Sequence, residues 1–125
     1  MIVGSGIDLA DVPRIRRSIE RYGERFLSRV FTPAEIAFVE RKKNRFERYA
    51  ARFAAKEAAM KAIGTGWKRG VTWKDVEVTN LPSGKPTLHF SGKAAEFVAR
   101  LGVKSVALSL SHTEELAIAE VILES

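Results

Sequence analysis

Two acids and a lysine stand where ordinary packing would place other residues. Along residues 46 to 60, Phe46, Ala50, Phe53 and Met60 fall within about 80° of one another on a helix advancing roughly 100° per residue, and Glu57 lies inside that arc. A carboxylate buried without a partner is costly, so Glu57 must meet a cation, carry a proton or border a cleft. Lys61, four residues on, is within reach of a plain i, i+4 salt bridge. Asp8 opens a second reading, because it follows the apolar segment IVGSGI and can project from a strand end into a cleft. Two carboxylates from separate elements can share Mg²⁺, a hard cation that takes one or two protein carboxylates and fills its shell with water and phosphate oxygens. Asp8, Glu57 and Lys61 would then form a diphosphate site. Asp8 alone serves equally well as a turn or helix cap.

The elements that must position these residues read as α+β: a single small domain, 1–125, with a long central helix, shorter helices and a small, mainly antiparallel sheet. MIVGSGIDL has the pattern of a strand, and Asp11 with Pro13 predicts a helix start, so a helix runs from about Val12 to Tyr22 or beyond. TPAE at 32 to 35 is a capping box that opens a short helix to about Arg41. The long helix runs from about Arg45 to Ile63 and stops at Gly64. WKDVEVTN and PTLHF bracket LPSG as a hairpin, GKAAEFVARLG is a short helix, and SVALSLS pairs with LAIAEVIL around HTEE. Trp67 and Trp73 are expected to pack, and His89 is expected to be structural.

Composition narrows the chemistry. At 125 residues and 46% hydrophobic, the chain can bury a core of its own. It has no cysteine, which excludes disulfides and thiolate metal sites and fits a cytoplasmic setting. No stretch approaches the ~18 apolar residues that span a bilayer, and the N-terminus lacks a basic cluster followed by an apolar run, so the sequence reads as neither exported nor membrane-bound. The net charge is +6, and residues 11 to 69 carry 16 Lys and Arg against 7 Asp and Glu. Arginine-rich helices suit an anionic partner, although they also serve as solvated surfaces. No nucleic-acid module or aromatic stacking pattern accompanies them.

Five segments in order, GIDLADVPRI, FTPAEI, RFAAKEAAMKAIGTG, SGKPTL and LSLSHTEELAIAEVI, resemble the holo-[acyl-carrier-protein] synthases, the small bacterial type of 4'-phosphopantetheinyl transferase. The resemblance covers essentially the whole chain and implies the fold of that family. It also implies transfer of 4'-phosphopantetheine from coenzyme A to a serine of apo acyl carrier protein, in fatty acid biosynthesis, with Mg²⁺ as cofactor and adenosine 3',5'-bisphosphate as leaving product. By the resemblance Asp8 and Glu57 match the metal-binding acids and Lys61 a residue at the diphosphate. The base that takes the serine proton stays open between Glu57, Asp8 acting through a metal-bound water, and water alone.

Further positions acquire expectations from the same resemblance. Lys85 and Pro86 match a loop lining the coenzyme A site, and His112 with Thr113 match its nucleotide end. Arg45 and Arg52 either reach a coenzyme A phosphate or form ion pairs on the long helix. Gly64, in GTG, either offers its N–H to a phosphate or simply stops the helix. Arg14, Arg17 and Arg21 share one helical face, away from Ile15, Ile19 and Tyr22, and suit docking of the acidic carrier protein. The family implies a homotrimer with active sites at subunit interfaces. The competing function is a non-catalytic basic module for nucleic acid or an acidic protein, which would tolerate Glu57→Gln.

Overall fold

The computed structural model describes residues 1–66 and 69–125, so the expectation for Trp67 lies outside the described residues. Strand β1 (Ile2–Asp11) leads directly into α1 (Val12–Tyr22). The Asp11 side chain accepts the Arg14 N–H at 3.3 Å, and Pro13 sits in the first turn where its missing N–H costs nothing. The helix does not run on past Tyr22. Gly23, at φ 52°, turns the chain, and a separate helix α2 (Glu24–Val30) begins behind it, which the sequence reading did not anticipate. Then come α3 (Pro33–Glu40), with the Thr32/Glu35 capping box in place, and α4 (Arg45–Ile63), closed by Gly64 at φ 81°.

The second half holds two antiparallel units. The hairpin of β2 (Val76–Asn80) and β3 (Pro86–Phe90) starts later than expected, because Trp73–Asp75 winds into a short 3-10 turn capped by Thr72 and Asp75. After α5 (Gly92–Arg100), β4 (Ser105–His112) and β5 (Leu116–Glu124) complete a three-stranded sheet in the order β1-β5-β4. The architecture is α+β, as the sequence indicates.

α4 lies across β1 and β5 and forms the centre of the core. Ala50, Ala51, Ala54, Ala55, Ala58, Ala59 and Ala62 are all buried, so the helix is enclosed by neighbours on most of its circumference. The inner sheet face supplies Ala10, Ala117, Ala119, Val121 and Leu123. The outer face shows Ile7 and Leu9, both more than half exposed, together with Leu116. No helix among the described residues is long and apolar enough to cross a membrane.

Candidate active site

Close contact between strand and helix builds the first site. A Cβ placed on Gly4 or Gly6 would collide with the carbonyl oxygen of Ala62 or Ala58, so only glycine lets β1 lie directly against α4. Two residues after Gly6, that approach brings Asp8 to the helix. The Lys61 ammonium donates to Asp8 Oδ1 at 2.9 Å and to the Ile7 carbonyl at 3.0 Å. Lys61 therefore takes its ion-pair partner from β1, where the sequence had offered it to Glu57. Asp8 and Glu57 line one cleft of about 480 Å³, walled by Phe53 and Trp73, whose ring centroids are 6.2 Å apart, and rimmed by Arg14 and Ser18. Glu57 is half-buried at its edge. No three His, Cys, Asp or Glu side chains gather into a metal site among the described residues. Two hard oxygen donors facing an open cleft fit a cation that draws its other ligands from water and substrate.

The fully enclosed charge in α4 belongs to the preceding residue. Lys56 is 0% exposed, and its ammonium donates to Glu35 Oε1 at 2.7 Å, to the Val76 carbonyl at 2.6 Å and to the Trp73 carbonyl at 3.1 Å. Glu35 also accepts the N–H groups of Thr32 and Val78. The capping acid of α3 thus carries a second duty that the capping motif did not reveal. Desolvation pulls the Lys56 pKa below the usual lysine value, while the charge and hydrogen bond of Glu35 act in the opposite direction. The sequence carried no signal of this burial, because Lys56 continues the i, i+4 row of Arg48 and Arg52 and reads as part of a polar stripe.

On the far side of α4 lies a second, basic hollow of about 200 Å³, lined by Arg48, Arg52, Asn80, Pro86, Leu110 and His112, among others. At roughly 100° per residue, Arg48, Ala51 and Arg52 point nearly opposite to Phe53 and Glu57. Arg52 is 4% exposed, stacks over Phe38 at 4.6 Å and reaches Asn80 Oδ1 at 3.4 Å, while its Nε finds no hydrogen-bond partner among the described residues. Burial lowers its pKa from the ordinary arginine value, with Glu35 opposing, yet a guanidinium retains its charge. His112 Nδ1 lies 2.8 Å from Glu47 Oε1.

The profile of the 4'-phosphopantetheinyl transferase superfamily matches residues 4–120. The chain belongs to that superfamily. A holo-[acyl-carrier-protein] synthase of Solibacter usitatus is 66% identical over 125 residues, covering 100% of both chains. The crystal structure of holo-[acyl-carrier-protein] synthase from Neisseria meningitidis superposes with a TM-score of 0.89 at 33% identity, covering 100% of both chains. A holo-(acyl-carrier-protein) synthase from Bacillus anthracis, crystallised in complex with CoA (3',5'-ADP), gives a TM-score of 0.82 at 39% identity over 100% of this chain and 98% of that one.

Other positions matched to the 4'-phosphopantetheinyl transferase pattern separate on inspection. Pro86 lines the basic hollow, whereas Lys85 is exposed in the β2–β3 turn, where the Leu81 N–H donates to its carbonyl. Arg45 pairs with Glu40 at 3.2 Å and stacks on Phe46, which is the ion-pair alternative. Thr113 Oγ1 accepts the N–H groups of Glu115 and Leu116 and so shapes the β4–β5 turn. The N–H groups of Gly64 and Gly66 return to the last carbonyls of α4, so Gly64 acts here as a cap, with its N–H already used. Arg14, Arg17 and Arg21 line a shallow exposed hollow on α1 together with Tyr22. Tyr22 therefore joins the arginine face, while Ile15 and Ile19 are buried. His89 is exposed on β3 opposite Glu77.

Proposed function

We infer that this chain, as one domain over 1–125, transfers the 4'-phosphopantetheine group of coenzyme A to a serine of apo acyl carrier protein. The observation that carries this reading is the meeting of Asp8 and Glu57, from strand and helix, in one open cleft beside Lys61. The serine hydroxyl forms a bond to the β-phosphorus, the bond to the nucleotide phosphate breaks, and adenosine 3',5'-bisphosphate departs. Asp8 and Glu57 would hold Mg²⁺, which supplies charge neutralisation at the diphosphate. The exposed Lys61 ammonium, held by Asp8, is placed to stabilise negative charge on phosphoryl oxygens. A half-buried carboxylate such as Glu57 at the cleft edge can accept the serine proton, directly or through water.

The basic hollow suits the nucleotide end, with Arg52, His112 and Pro86 lining a place for a phosphate. Cleft and hollow lie on opposite faces of a buried helix, which favours a coenzyme A that draws on two copies of the chain. That geometry supports a homotrimer whose sites combine the cleft of one copy with the hollow of another, and the apolar outer face bearing Ile7, Leu9 and Leu116 supports the same assembly. Coassembly of inactive Asp8→Asn chains with His112→Ala chains, assayed at a coenzyme A concentration too low for His112→Ala to turn over, is then expected to restore about a quarter of wild-type activity, since one interface in four unites an intact cleft with an intact hollow. The Arg14, Arg17, Arg21 and Tyr22 face suits an acidic carrier protein, and the cysteine-free composition suits the cytoplasm.

The test is the intact mass of apo acyl carrier protein after incubation with the chain, coenzyme A and Mg²⁺. A gain of about 340 Da that disappears with EDTA, with Asp8→Asn and with Glu57→Gln supports the reading. A folded wild-type chain that leaves several carriers unmodified defeats it.

A further inference from the structure

We propose that Glu47 is a positioning residue for coenzyme A, acting through His112 to hold the imidazole toward the 3'-phosphate; this rests on the transferase reading above. Glu47 is an acid in a run of cations, between Arg45 and Arg48 in the first turn of α4. A carboxylate next to an anion site should repel the anion, so its presence there calls for a reason. Its side chain is 19% exposed, that of His112 is 26% exposed, and Oε1 lies 2.8 Å from Nδ1. A carboxylate only accepts, so the contact fixes the proton on Nδ1 and keeps the ring from flipping. The other edge of the ring is left for the hollow that His112 lines with Arg48 and Arg52. With Nδ1 engaged by Glu47, the Nε2 edge is the one available to a ligand in the hollow.

The hollow has independent marks of an anion site. Arg52 is buried with its Nε lacking a partner among the described residues. Arg48 is oriented by its Nε donating to Asn44 Oδ1 at 2.9 Å. Coenzyme A carries two anionic groups, the diphosphate and the 3'-phosphate. The diphosphate must lie where the bond breaks, beside Asp8 and Glu57, which leaves the 3'-phosphate for this basic hollow. Glu47 then contributes by orientation, without touching the ligand.

An acid in the first turn of a helix also interacts favourably with the helix dipole, so a purely structural role must be separated from this one. The experiment measures KM for coenzyme A and for dephospho-coenzyme A, which lacks only the 3'-phosphate, with wild type, Glu47→Ala, Glu47→Gln, His112→Ala and the Glu47→Ala/His112→Ala double variant. Glu47→Ala is expected to raise KM for coenzyme A about tenfold, the effect of losing one charge-assisted contact, and KM for dephospho-coenzyme A by less than about twofold. Glu47→Gln, which can still accept from Nδ1, recovers part of the loss. In the His112→Ala background, Glu47→Ala adds nothing further. Equal increases for both donors, or additive effects in the double variant, overturn the proposal while leaving the function intact. A wild-type chain that transfers from neither donor overturns both.

Discussion

Lys56 and Glu57 are adjacent in the chain, yet they belong to opposite kinds of environment. Lys56 is sealed against Glu35, with its ammonium donating to one carboxylate oxygen and two carbonyls. Glu57 borders an open cleft, where the nearby Asp8–Lys61 pair keeps its lysine side chain 57% exposed. A sealed pair must satisfy all its donors at once, and the reward is a fixed junction between α3, α4 and β2. An open pair keeps little energy for the fold, but its charges remain exchangeable with substrate. The difference separates a charge that holds structure from one that can do chemistry, a single residue apart.

That separation is easiest to break at its two extremes. Glu57→Gln should cut the turnover of carrier protein by at least about 100-fold, read by intact mass, while the thermal midpoint moves by no more than a few degrees. Lys56→Met should do the reverse in the first instance, costing about 3–5 kcal/mol in urea denaturation by stranding Glu35 without its cation. A Lys56→Met chain with wild-type stability would erase the contrast. Gly6→Ala tests the contact that unites strand and helix. Its methyl must displace Ala58, so stability should fall by about 1–3 kcal/mol, and turnover should fall further than that loss of folded protein explains. The smallest effect is expected on the arginine face of α1, whose Arg14 reaches the rim of the cleft. Arg14→Glu should weaken carrier-protein affinity about tenfold at low ionic strength, measured by calorimetry, with the gap closing as salt is raised.

The local signals in the sequence translated well. Asp11 before Pro13, the TPAE box, Gly64 and the SVALSLS/LAIAEVIL pair each specify backbone geometry within a few residues, and each stands where it was expected. Where prediction failed, the deciding interaction was either equally local but ambiguous or far away. Gly23 interrupts a charged stretch whose helical pattern continues on both sides, which concealed α2. Thr72 and Asp75 form a cap that draws WKD out of the strand pattern. The Glu35–Lys56 and Glu47–His112 pairs join segments far apart in sequence, and neither has a spacing rule. The approach of Asp8 to α4 depends on glycines in one element and alanines in another, so only the family resemblance linked them in advance.

β1 alternates between two tasks along its length. Gly6, Asp8 and Ala10 turn inward to α4, and Ile7 and Leu9 turn outward. From Gly4 to Asp11 its pairing with β5 runs without a break. A single inserted or deleted residue in that stretch would exchange the two faces, presenting an isoleucine or leucine to the cleft and the aspartate to the outer surface. Length variation among natural or engineered versions of this chain should therefore collect in the turns, while this strand keeps its residue count even as its letters drift.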